Sequence, residues 1–145
     1  MSHSLVQIWI HSVFSTKDRF PLLKDSFRNE VFNHISQSLE EKNCSVKIVD
    51  GMPDHVHLLF SLPPQYSISQ IIKLIKGESS HWINQMDFLN VKFAWQVGYG
   101  AFSVSESQVK VVKKYIENQE QHHKKMSFQE EYDRFIRLYN IEGNR

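Results

Sequence analysis

Cysteine is almost missing from this chain. Cys44 is the only one, so no disulfide can close within the chain and no cysteine-rich zinc site can form. Glycine and proline are sparse, at five and four residues, and no stretch of Gly, Ser or Pro reads as a linker. There is no repeat and no low-complexity tract in the 145 residues, a length that suits one compact domain over residues 1–145. A chain of this size can bury a core without staples. No apolar run is long enough to span a bilayer. The opening Met1-Ser2-His3-Ser4 lacks the basic start and small-residue cleavage site of a signal peptide. A cytoplasmic protein with no membrane partner is therefore expected. The formal net charge is +1, far from the basic excess common in nucleic-acid binders, although local patches matter more than the sum. What is plentiful is histidine, at eight residues.

Hydrophobic periodicity supplies the elements. Val6, Ile8 and Ile10 alternate with Gln7, Trp9 and His11, which predicts a strand over 5–14. A turn follows at 17–21. Phe27, Val31, Phe32, Ile35 and Leu39 recur every three or four residues, which predicts a helix over 25–42 with one buried stripe. Cys44, Val46 and Ile48 alternate as a second strand, and a turn cluster at 50–54 leads to a third strand over 55–61, the hairpin partner of the second. Ser67 and Gln70 form a capping-box pattern opening a helix whose buried side carries Ile68, Ile71, Ile72, Ile75, Trp82, Ile83 and Met86. Val91, Phe93, Trp95 and Val97 alternate as a fourth strand, interrupted by Gly98-Tyr99-Gly100 and followed by extended residues 101–104. Ser105 and Gln108 repeat the capping-box pattern and open a third helix to about His123, and 128–139 reads as a last amphipathic helix. This order predicts an α+β fold: a ferredoxin-like, split βαβ antiparallel sheet with helices on one face and additional C-terminal helices. The other sheet face is left for a ligand.

Two places carry chemistry. In the third strand, alternation points His55 and His57 to one face, about 7 Å apart along the chain, while Val56, Leu58 and Phe60 point into the core. Two imidazoles on an open sheet face can share one metal; two surface histidines that bind nothing would look the same. In the third helix, Gln108, Val111, Tyr115, Gln119 and His122 share a face beside the apolar stripe of Val109, Val112 and Ile116. A tyrosine hydroxyl can act as a covalent nucleophile when a metal or base activates it. Its ordinary pKa near ~10 makes that help necessary at neutral pH. Gln119 offers a carbonyl oxygen suited to stand beside two imidazoles; a half-buried tyrosine with a solvated glutamine fits the same spacing. Lys110, Lys113 and Lys114 flank Tyr115, Lys73 and Lys76 lie on the exposed side of the second helix, and Lys17 and Arg19 follow the first strand. They are candidates for DNA contact or simply a solvated surface. Trp95, Tyr99 and Phe102 could stack bases, but strand aromatics are more often core, and Trp95 reads so.

Taken in order, these segments resemble a known family. They are His55-Val56-His57 in a strand, the run from Trp95 through Gly98-Tyr99-Gly100 to Ser105, Tyr115-Ile116-Glu117-Asn118-Gln119, and His122-His123. With Ser15-Thr16-Lys17-Asp18-Arg19 and Lys76-Gly77-Glu78-Ser79-Ser80, they look like the single-tyrosine transposases of small bacterial insertion sequences (the insertion-sequence two-hundred-like group) within the wider HUH endonucleases. The resemblance covers nearly the whole chain. It implies that His55, His57 and Gln119 hold Mg²⁺ or Mn²⁺ and that Tyr115 is the nucleophile. It also implies a homodimer in which the tyrosine helix of one subunit can complete the site of the other. The implied substrate is single-stranded DNA with hairpin ends. One departure is Asp18, which stands where an aromatic residue is expected; it bears on DNA contacts and leaves the catalytic set intact. The long extension of some repeat-associated relatives is missing, which favours a mobile-element enzyme over a domesticated one.

Other readings compete. A histidine-triad nucleotide hydrolase needs a third alternating histidine, and position 59 is Leu59. A cupin metal site needs an all-β sequence. A catalytically idle or domesticated DNA-hairpin-binding protein would keep the same fold, and only the retention of every expected catalytic residue type argues against it.

Overall fold

The computed structural model describes residues 5–118 and 127–138. Four strands form one antiparallel sheet in the order β2-β3-β1-β4, with β1 at Trp9–Ser15, β2 at Val46–Met52, β3 at His55–Ser61 and β4 at Gly100–Val104. Helices α1 (Arg28–Glu41) and α2 (Ile68–Gln85) separate the strands as the split βαβ plan requires. Helices α3 (Val109–Glu117) and α4 (Phe128–Leu138) follow β4.

The main core lies between the sheet and the first two helices. Ile10 and Phe14 of β1 and Val56, Leu58 and Phe60 of β3 meet Val31, Phe32, Ile35 and Leu39 of α1 and Ile71, Ile72, Ile75 and Ile83 of α2. The same alternation sends Trp9, Leu59 and Val104 to the opposite face, where Val109 and Ile116 of α3 cover them. The expected free face is therefore roofed in part by the tyrosine helix.

Local signals explain most boundaries. Ser67 accepts from the Gln70 backbone N–H at 3.1 Å while the Gln70 side chain accepts from the Ser67 N–H at 2.8 Å, so the expected capping box opens α2. The pattern at Ser105 and Gln108 works differently. No side-chain cap bond forms there; a single 3-10 turn over Glu106–Gln108 leads into α3, and the Gln108 N–H reaches the Ser105 carbonyl at 2.9 Å. Strand β2 runs on through Asp50, Gly51 and Met52, which the turn cluster had claimed, and only Pro53 and Asp54 separate it from β3. A Cβ on Gly51 would sit 2.2 Å from the His55 carbonyl oxygen, so glycine is what lets the two strands close beside the histidines.

The alternation over 91–97 does not make a strand. It touches the sheet at one bridge, Thr16 to Trp95, and β4 is the segment read only as extended. Phe93 is clamped by Asn84, whose side chain accepts from the Phe93 N–H at 2.8 Å and donates to its carbonyl at 3.0 Å. Trp95 donates to Ser79 Oγ at 2.9 Å. Both rings fill the core under α2, so their alternation reflects anchoring to a helix. Gly98, with φ 96, turns the chain into β4.

Candidate functional site

His55 and His57 do project from the sheet face opposite α1 and α2, and both are buried, at 0% and 1% exposure. Their rings lie 5.1 Å apart between centroids at 79°. Each has a partner on one ring nitrogen. His55 Nδ1 is 2.7 Å from Asp54 Oδ1, and His57 Nδ1 is 2.9 Å from His11 Nε2. Such partners orient the rings, so that Nε2 of each is the nitrogen that could ligate a metal. His11 comes from β1, where it faces the open side with Trp9 and is fully buried. Burial, with the His57 ring beside it, holds His11 well below the ordinary histidine range; Glu131 pulls the other way. His11 is thus a neutral prop at neutral pH. The first-strand alternation had put it on this face without giving it a role.

Tyr115, on α3, is half-buried and packs against the cluster of Trp9, Leu59, Val104, Val109 and Ile116. Its phenol is pushed above the ordinary tyrosine range by burial first, then by the charge of Glu131 and a hydrogen bond to that carboxylate, while Arg134 opposes the shift. Tyr115 is held as a neutral hydroxyl donating to Glu131.

Glu131, from α4, is the residue that sequence reading missed. It is buried at 1% exposure, with Oε1 3.2 Å from His57 Nε2. The donor atoms of His55, His57 and Glu131 all lie within 4.8 Å of one another, a set that could hold a metal ion. A signal was present: Phe128, Glu131 and Phe135 follow the i, i+3, i+7 spacing of an apolar stripe, so a carboxylate stands where an apolar residue is due. Gln119, the expected third ligand, lies outside the described residues, as do His122 and His123.

The basic candidates divide. Lys17, Lys73, Lys110 and Lys114 are exposed. Arg19 is exposed and donates to the Gln129 side chain at 2.8 Å, tying the loop after β1 to α4. Lys113 pairs with Glu117 at 3.2 Å. Lys76 turns inward, donating to the carbonyls of Gln96 at 2.6 Å and Gly98 at 2.8 Å, with its ammonium 5.5 Å from the Phe14 ring centre. Trp95 is core, and Phe102 is buried near His11, so neither presents a base-stacking surface; Tyr99 is exposed. Among the described residues no helix is long and apolar enough to cross a membrane.

Known proteins resemble this chain in sequence and in structure. The ISDra2 transposase TnpA of Deinococcus radiodurans is 28% identical over 118 residues, covering 78% of this chain and 84% of that one. The transposase for insertion sequence element IS200 of Salmonella typhimurium is 27% identical over 125 residues, covering 82% and 81%. A Deinococcus radiodurans crystal structure described as a candidate transposase superposes with a TM-score of 0.66 at 25% identity, over 82% of this chain and 95% of that one. A REP-associated tyrosine transposase, solved bound to a REP hairpin, shares the fold with a TM-score of 0.60 at 17% identity, over 85% of this chain and 72% of that one. The family described as "Transposase IS200 like" matches residues 4–119, and the chain belongs to it.

Proposed function

We propose that this transposase nicks and rejoins single-stranded DNA at hairpin-flanked element ends through a 5′-phosphotyrosine on Tyr115. The observation that carries the reading is the link through Glu131, whose carboxylate accepts the Tyr115 hydroxyl and lies 3.2 Å from Nε2 of buried His57, next to buried His55. In the nicking step the Tyr115 oxygen attacks the scissile phosphorus and the bond from phosphorus to the 3′ oxygen breaks. The 5′ phosphate stays on the tyrosine. The phenol gives up one proton and the departing 3′ oxygen gains one. Attack by that 3′-hydroxyl on another phosphotyrosine forms a new phosphodiester and returns a tyrosine. The bond energy is kept in the covalent link, so no ATP is consumed.

His55 and His57 would hold a divalent cation, with Gln119 as the third ligand that the family resemblance implies. The buried imidazoles, each with its second nitrogen engaged, suit that task. When bound, a cation there would polarise a non-bridging phosphate oxygen and offset the charge that builds in the transition state. Nitrogen and oxygen donors together favour Mn²⁺, while Mg²⁺ prefers oxygen alone. The hairpin-bound relative supports a folded single strand as the partner, and exposed Lys17, Lys73, Lys110 and Lys114 are suited to its phosphates. A homodimer that shares α3 between subunits completes the proposal.

The test is covalent trapping. With Mn²⁺ and single-stranded oligonucleotides carrying the hairpins that flank its own coding region, the wild-type chain should form a protein–DNA band that survives denaturing electrophoresis and maps to Tyr115. Tyr115→Phe keeps the ring and should bind the hairpin without forming the band. An adduct that persists in Tyr115→Phe overturns the nucleophile. Hairpin binding with no wild-type adduct would instead make the chain an idle DNA-hairpin-binding protein.

A further inference from the structure

We infer that Glu131 is a protein ligand of the divalent cation, so that the centre is built from two imidazoles and a carboxylate delivered by α4. The inference rests on the metal-dependent reading above and adds a residue beyond residues 4–119, the segment that defines the family.

Three observations carry it. The first is distance. An octahedral ion with ligand bonds near ~2.1 Å holds neighbouring ligand atoms about 3.0 Å apart and opposite ones about 4.2 Å apart. Glu131 Oε1 lies 3.2 Å from His57 Nε2, and the three donor atoms fall within 4.8 Å of one another. The second is burial. A carboxylate at 1% exposure is expensive unless a positive charge or strong donors answer it. The sheet offers imidazoles here, one of them already stacked on its neighbour His11 at 5.1 Å. A cation shared by His55, His57 and Glu131 answers the carboxylate's charge where it is buried. The third is connection. The carboxylate also accepts the Tyr115 hydroxyl, so one side chain links the nucleophile to the histidine pair. As a ligand, Glu131 fixes the distance between the attacking oxygen and the ion that receives the phosphate.

The donor set has a chemical consequence. Two neutral imidazoles and a carboxamide leave a dication's charge intact, whereas a carboxylate cancels half of it and raises affinity for hard divalent ions. Glu131 should therefore contribute more to holding the cation than Gln119 does.

Mn²⁺ titration of the full-length protein, by calorimetry and without DNA, tests this. Glu131→Gln keeps the size of the side chain and removes the charge; it should weaken Mn²⁺ binding by at least ~10-fold, the scale seen when the support of a metal site is lost. Glu131→Ala should weaken it at least as far, and Gln119→Ala less. His55→Ala and His57→Ala are the controls. If both histidine variants lose Mn²⁺ while both Glu131 variants bind as wild type, Glu131 is no ligand and its contact with His57 is an ion pair only. If the histidine variants also bind as wild type, the metal centre of the proposed function fails as well. A second readout needs no variant to fold: Mn²⁺ bound to wild-type protein labelled with ¹³C at glutamate carboxyls should show a strong electron–carbon hyperfine coupling by electron-nuclear double resonance. Absence of that coupling overturns the inference.

Discussion

Neighbouring residues of β3 live on two different surfaces. Val56, Leu58 and Phe60 enter a largely apolar core, packed by the isoleucines of α2 and the stripe of α1. His55 and His57, one position away, meet Asp54, His11 and Glu131 in a site equally closed to solvent. Burial is the same and its meaning differs. On the covered face it is the driving force, at about 25 cal/mol for each Å² of apolar surface removed from water. On the histidine face it is a cost, because polar and charged groups give up their hydration. A protein carries such a cost where function requires it.

The sharpest way to break this comparison is to cut the same strand twice. Leu58→Ala should cost about 2–5 kcal/mol through the lost transfer term and the cavity, yet keep adduct formation at temperatures where the variant remains folded. His57→Ala should eliminate the adduct and lower the thermal midpoint less than Leu58→Ala does. Calorimetric midpoints and denaturing gels on both variants decide the matter, and a stability loss at His57 as large as that at Leu58 would erase the distinction between the faces.

Cys44 sharpens the comparison from the covered side. Its thiol is pushed up to about 11 by burial, with only Lys42 opposing. Two units above its ordinary value means about a hundredfold less thiolate at pH 8. Alkylation by iodoacetamide should be slower than for a free thiol by that factor, and should rise about tenfold per pH unit until about 11. A rate at pH 8 equal to that of a free thiol would show the core edge to be open.

The smallest expected effect concerns lysines. Exposed Lys110 should add one phosphate contact, so Lys110→Ala should lower the slope of log affinity against log salt by about 0.7 for a single strand. Lys76 spends its ammonium on the carbonyls of Gln96 and Gly98, so Lys76→Ala should leave that slope unchanged while loosening the segment before β4. Equal slope changes would put Lys76 on the DNA.

The antiparallel sheet and the histidine face were legible because alternation and hairpin spacing are local signals, and a period of two leaves no choice of face once one side is apolar. The capping box at Ser67 was legible for the same reason. The segment 91–97 misled because alternation records two buried rings without saying what buries them; Asn84 and Ser79, on a helix, do so here. Tyr115 stood out as a candidate nucleophile only by resemblance, since the helix alone fits a half-buried tyrosine. Glu131 and His11 were not legible as site residues. Their roles come from contacts between α4, β1 and β3, which no local pattern encodes, although each broke or joined a pattern in a way that marks its face.

The position of β1 has a consequence for the life of the chain. This strand is central, and its two partners are made at very different times. β3 follows it within the first half of the sequence, and the β2–β3 hairpin closes over a two-residue turn. β4 pairs Trp9 with Val104, so that edge closes a loop spanning most of the chain, a slow step for which loop entropy must be paid first. Synthesis runs from the N-terminus. The histidine hairpin can therefore fold while Tyr115 is still untranslated, and Glu131 arrives later still. A chain released before residue 115 carries the histidine hairpin but neither the Tyr115 hydroxyl nor the Glu131 carboxylate, two groups that the proposed reaction and metal centre use.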